Sequence, residues 1–213
     1  MQVNFTYDKD KDIWCLLNKG KSSNNSQFPT KQYKQLVDKY GENPTVESVA
    51  VFVDEYIVEN NIDITKSIEN FQKDWENVSS EFQKRAEAIF EISVPSDITA
   101  YLTINSRCPY SIQDNFFYVS IQSTQARRIA MHELWHFYTW YGLGVEQEEK
   151  LGKQKYNDLK EALTVLLNVE CKDFLPEGMI DIGYPQHQEI REKVLEYWER
   201  DRNIKNLWNY LTN

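Results

Sequence analysis

Residues 126–141 read ARRIAMHELWHFYTWY, and no other stretch restricts the fold of this 213-residue chain as strongly. Ala130, Leu134, Trp135 and Phe137 make it apolar at helical spacing, and Ser123 or Thr124 stands ready to cap it. Gly142 and Gly144 are placed to end it. The chain has three histidines, and two of them, His132 and His136, fall here four residues apart. On a helix that spacing puts both on one face, about 6 Å apart at Cβ. Their rings converge, so the surrounding chain must supply either a polar core network or a metal ion at that point.

Two imidazoles one turn apart on a helix supply two corners of a zinc tetrahedron. Glu133 is rotated by about 100° from His132, too far round to ligate but able to reach a water on the metal; this is the HExxH arrangement. The third ligand decides between metal and coincidence. Positions 139 and 142 are Thr and Gly, which excludes a closely spaced third histidine, and His187 is far along the chain. Twenty-five residues after His136, the stretch KEALTVLLN carries Glu161 among Leu159, Ala162, Leu163, Leu166 and Leu167. A carboxylate facing inward from so apolar a helix is costly unless paired or bound to metal. The alternative is an exposed glutamate beside Lys160. Two imidazoles and a carboxylate suit one Zn2+ per chain.

His132-Glu133-x-x-His136 followed by Glu161 on a second helix resembles the gluzincin, thermolysin-like class of zinc metallopeptidases, in a compact form. The resemblance covers about the last 115 residues. It implies a zincin-like C-terminal half, a peptide or protein substrate, and Glu133 as the general base. It also implies that NFFYVSIQ, the strand before the motif helix, pairs along its edge with extended substrate. The class takes an oxyanion donor from its C-terminal helices; by chain order the candidates are His187 and Tyr184. Pro185 favours a helix start that would keep His187 neutral, as an N–H donor. A surface histidine is the other reading of His187. Arg127 and Arg128 are either solvated or available to a substrate carboxylate. One departure stands out. Where members of the class place an aspartate to hold the first histidine, four residues after the ligand glutamate, this chain has Val165; Thr164 or Asn168 is left as a weaker substitute. The rival to an enzyme is a non-catalytic binding protein whose zinc site is structural or vestigial.

The remaining sequence predicts an α+β fold, mainly helical, with a small antiparallel sheet packed on the motif helix. Val3, Phe5 and Tyr7 alternate and Ile13–Leu17 is apolar, so DKDKD between them reads as a hairpin turn, followed by a polar loop over KGKSSNNSQFP. Helices are expected around Tyr33–Tyr40, Val46–Val58 and Ile68–Trp75, with a further one opened by a capping box at Ser80–Gln83. ITAYLTIN and NFFYVSIQ read as strands. Helices around Tyr156–Val169, Gln188–Arg200 and Ile204–Leu211 follow, with the loop LPEGMIDIGYPQ among them. Residues 1–93 form an N-terminal region without recognisable chemistry, and 94–213 the zincin-like domain. A net charge of -9 with no basic stripe argues against nucleic acid. Three scattered cysteines, no apolar run long enough for a membrane and no leader pattern at MQVNFTYDKD suggest a cytoplasmic protein without membrane contact.

Overall fold

Asp8 decides how the chain begins. Its carboxylate accepts from the backbone N–H groups of Asp10 and Lys11, at 2.9 and 3.1 Å, and opens a helix, α1, over Lys9–Lys19. The charged run read as a hairpin turn is therefore the first helical turn, and Ile13–Leu17 is helix rather than a second strand. Asp10 and Asp12 in that turn complement the helix dipole, and Lys19 does so at the other end. The computed structural model describes residues 2–22 and 28–213, so the polar loop expected after α1 falls partly outside the described residues.

These residues form two compact units, neither a single stretch: 2–76 with 97–126, and 77–96 with 127–213. The first holds a four-stranded sheet in the order β1-β2-β4-β3, from β1 (Gln2–Thr6), β2 (Asp97–Thr103), β3 (Tyr110–Ser111) and β4 (Phe116–Ser120). β1 and β4 each pair parallel to β2, and only the two-residue β3 runs antiparallel to β4. The sheet is thus mixed and mostly parallel, not the antiparallel sheet expected. A parallel pair needs a long crossover rather than a tight turn, and the route from β1 to β2 is α1, α2 (Lys31–Tyr40), α3 (Val46–Glu59) and α4 (Ile64–Phe90). Val3 and Phe5 on β1, Ile98, Ala100 and Leu102 on β2, and Phe117 and Val119 on β4 are buried. Leu16, Leu36, Val49 and Val53 of the helices are buried as well. β4 is not an open edge along its whole length, because β3 covers Phe116 and Phe117, and the N–H of Tyr118 donates to the Pro109 carbonyl.

α4 is one helix where two were expected. No Gly or Pro interrupts 64–90, and buried Trp75, Val78, Phe82, Ala86 and Phe90 continue one stripe through Ser79 and Ser80. Within the second unit, Phe90 meets Trp135 edge-to-face at 5.1 Å and stacks on Tyr138 at 5.8 Å. Those partners belong to α5 (Ala126–Thr139), the motif helix. Gly142 and Gly144 do not end it. The chain widens into a π turn over Trp140–Gly144 and continues as α6 (Val145–Leu151). A Cβ on Gly144 would run into the Tyr156 hydroxyl and the Trp140 ring, so this glycine serves close packing. Gly152, at φ 77°, makes the real break and leads into α7 (Lys153–Leu163). A 3-10 turn at Thr164–Leu166 joins α7 to α8 (Leu167–Glu170), and α9 (Gln188–Trp198) and α10 (Ile204–Thr212) close the chain. Among the described residues no helix is long and apolar enough to cross a membrane.

Candidate metal centre

Every residue of the site lies in the unit built from 77–96 and 127–213. α5 presents His132 and His136 one turn apart, with their rings 4.6 Å apart at 80°. α7 brings Glu161 against them. His132 Nε2 lies 3.1 Å from His136 Nε2, and the two carboxylate oxygens of Glu161 lie 3.6 Å from the first nitrogen and 3.4 Å from the second. A tetrahedral ion with ligands at about 2.0–2.1 Å has ligand–ligand edges of about 3.3 Å. With one donor atom taken from each residue, the three lie within 4.8 Å of one another, close enough to converge on one ion. Among the described residues this is the group of His, Cys, Asp or Glu that can hold a metal ion, and it has three members.

The chemistry of the donors agrees with the distances. His132 Nδ1 lies 2.7 Å from Asp181 Oδ2, so Nδ1 carries the hydrogen and, in the neutral ring, Nε2 keeps its lone pair. Nε2 faces His136 Nε2 and the Glu161 carboxylate, a position that either a proton or a metal ion can occupy. Burial alone would keep His132 neutral, but Asp181 and Glu161 outweigh it and push its pKa up to about 10. His136, buried and beside the Lys160 charge, is held well below the usual histidine range. Desolvation opposes ionisation of Glu161, yet the neighbouring His136 and His132 hold its pKa well below that of an ordinary carboxylate. Glu133 is 8% exposed; burial pushes it up to about 7, and its Oε2 has no hydrogen-bond partner among the described residues.

Sequence reasoning missed Asp181. It comes from the loop 175–184 and supplies the orienting carboxylate that Val165 cannot. Thr164 and Asn168, the substitutes considered, hold Asp181 instead of His132. The Thr164 hydroxyl donates to Asp181 Oδ1 at 2.9 Å; Asn168 accepts from the Asp181 N–H at 2.7 Å and donates to its carbonyl at 2.9 Å. Arg191 of α9, buried, donates to Asp181 Oδ1 at 3.2 Å and to its carbonyl oxygen. Gly183, at φ 65°, gives Arg191 room, since a Cβ there would stand 2.5 Å from its Nη1. The available signal was the lone acid in MIDIG, set between isoleucines and followed by glycine.

The other sequence candidates are placed differently. His187 ends a 3-10 turn that starts with Pro185 and precedes α9, as the proline suggested. It is buried, not a surface residue, and its Nε2 lies 3.0 Å from Asp158 Oδ1, three residues before Glu161 on α7. The ring of Tyr184 meets that of His187 edge-on at 5.7 Å, and Tyr184 is exposed. Neither belongs to the three-donor group. Arg127 donates to the Phe174 carbonyl, and Arg128 pairs with Asp181 at 3.5 Å, so Arg128 acts in holding the site. Compared with protein-family models, curated proteins and solved structures, the chain matches none.

Proposed function

We propose that the protein is a zinc-dependent peptidase whose metal ligands are His132, His136 and Glu161 and whose general base is Glu133. The observation that carries this reading is the convergence of three side chains, with His132 Nε2 3.1 Å from His136 Nε2 and the Glu161 carboxylate 3.4 Å from one ring nitrogen and 3.6 Å from the other. A bound zinc ion would supply a Lewis acid for a substrate carbonyl and a lowered pKa for a water. Three ligands suit a catalytic site, which keeps a position open, whereas structural sites are usually closed by four.

The chain's own residues take the remaining roles. Asp181 fixes the tautomer of His132. Glu133, next in sequence to one ligand, has an uncommitted buried oxygen that takes the proton of the attacking water and passes it to the leaving amine. His187, held by Asp158, is the candidate to donate to the carbonyl oxygen as it gains charge, with Tyr184 beside it. The resemblance to gluzincins supports a peptide or protein substrate and a zincin-like arrangement around α5. Elemental analysis should find one zinc per chain, lost in Glu161→Gln. Cleavage of a peptide library should disappear in Glu133→Gln with zinc retained. Protein purified without zinc that cannot be loaded sinks the reading. Full zinc with no cleavage of any peptide favours a non-catalytic, partner-binding protein.

A further inference from the structure

Lys160 adjoins Glu161 on α7, and its side chain is only 6% exposed, with Nζ 3.4 Å from Glu161 Oε1. Neighbours in sequence diverge by about 100° around a helix and do not ordinarily meet. The lysine stem must fold back to make this contact. A long basic side chain normally lays its methylenes on apolar surface and keeps its charge in water; here the charge is withdrawn as well, a cost that calls for a nearby anion. Arg128 and Arg191 are engaged with Asp181, while Lys160 faces Glu161 beside the histidine pair.

We propose that the Lys160 ammonium is a built-in counter-cation of the site, holding Glu161 against the histidine pair when no metal is bound and competing with the metal for that carboxylate. The proposal rests on the metal reading above and concerns a residue that reading does not use. A monovalent cation so close to a ligand oxygen repels an incoming divalent ion. At the effective dielectric of protein sites such a repulsion over several ångströms amounts to a tenfold effect on affinity or more. The lysine thus trades metal affinity for a site that is already assembled before the ion arrives.

Lys160→Met keeps an unbranched apolar stem and removes the charge; Lys160→Arg keeps the charge. Zinc affinity is read by competition with a chromophoric chelator. Lys160→Met should bind at least about tenfold more tightly, and Lys160→Arg should stay within a few-fold of the unaltered protein. A second measurement needs no metal: thermal unfolding in EDTA of Lys160→Met, Glu161→Gln and the double variant, read as a cycle. Removing the charge should lower the melting temperature clearly when Glu161 is present and much less when it is glutamine. Zinc taken up by neither the unaltered protein nor Lys160→Met sinks the metal reading itself. Zinc bound equally or more weakly by folded Lys160→Met, or an additive cycle, overturns the Lys160 proposal alone.

Discussion

Asp181→Asn keeps the shape of the side chain while removing one acceptor and the charge. In the protein Oδ2 faces His132 Nδ1 at 2.7 Å, and Oδ1 accepts from Thr164 at 2.9 Å and from Arg191 at 3.2 Å. An amide has one oxygen for these two sides. If the oxygen faces His132, the NH2 group is set against the Arg191 guanidinium, donor against donor. If it faces Arg191, the NH2 group donates to His132 Nδ1. The ring must then carry its hydrogen on Nε2, the atom that points at His136 and Glu161. Either way the ligand is lost or poorly held. Loss of a partner that orients a metal histidine costs about 10–100-fold in affinity, or about 1.4–2.7 kcal/mol.

Zinc affinity at neutral pH, measured by chelator competition on protein shown by circular dichroism to be folded, gives the test. Thr164→Val removes one support of Asp181 and leaves its carboxylate, so its loss should be smaller. Zinc affinity in Asp181→Asn within about twofold of the unaltered protein, with the fold intact, would refute the assignment of Asp181 as the group that fixes His132.

Three further outcomes are expected. Zinc at about 100 times its dissociation constant should stabilise the protein by about 2.7 kcal/mol; EDTA should therefore lower the melting temperature by several degrees, and should leave Glu161→Gln unmoved. Phe90→Ala, which empties the space against Trp135 and Tyr138, should cost about 3–5 kcal/mol in urea unfolding; a cost under 1 kcal/mol would contradict the packing described. Asp12 of α1 is pushed up to about 6 by burial, against the opposing hydrogen bonds from Thr103 and Ile104. Between about pH 4 and 6 the folded protein holds this proton and the unfolded chain does not. Its contribution is full below about pH 4 and is lost as pH rises through 6, an effect of about 2–3 kcal/mol. Urea titrations of Asp12→Asn across that window should show a correspondingly flatter pH profile.

Local chemistry was legible in the sequence, and long-range pairing was not. His132, Glu133 and His136 announce themselves because helical spacing alone puts them together, and Glu161 because an acid on an apolar helix demands a reason. α2 and α3 follow from their apolar spacing, with Thr30 and Thr45 accepting at their starts, and β2 and β4 follow from alternation. Asp8 is ambiguous in the sequence because an aspartate opening DKDKD serves a turn and a helix cap equally well; the burial of Ile13 and Leu16, on a helix packed against β2 and α3, is what selects the helix. Strand direction escaped for a related reason, since alternation in QVNFT is the same whether Gln2 pairs parallel to Asp97 or antiparallel. Asp181 is the deeper case. Its role depends on Asn168, Arg191 and Gly183 converging from three places, and no spacing within one element encodes that.

The interleaving of the two units has a consequence for how the chain is made. No single cut separates them, because 77–96 belongs with 127–213 and the residues on either side of it belong together. Val3 and Phe5 have no strand to pair with until Asp97–Thr103 follows them. The sheet unit can close once residue 126 is out. At that moment the histidine helix has barely begun, and His132 and His136 appear before Glu161 and well before Asp181. The two imidazoles are therefore made before the carboxylates that face them, and the order of residues brings the candidate site together only after the sheet unit can form.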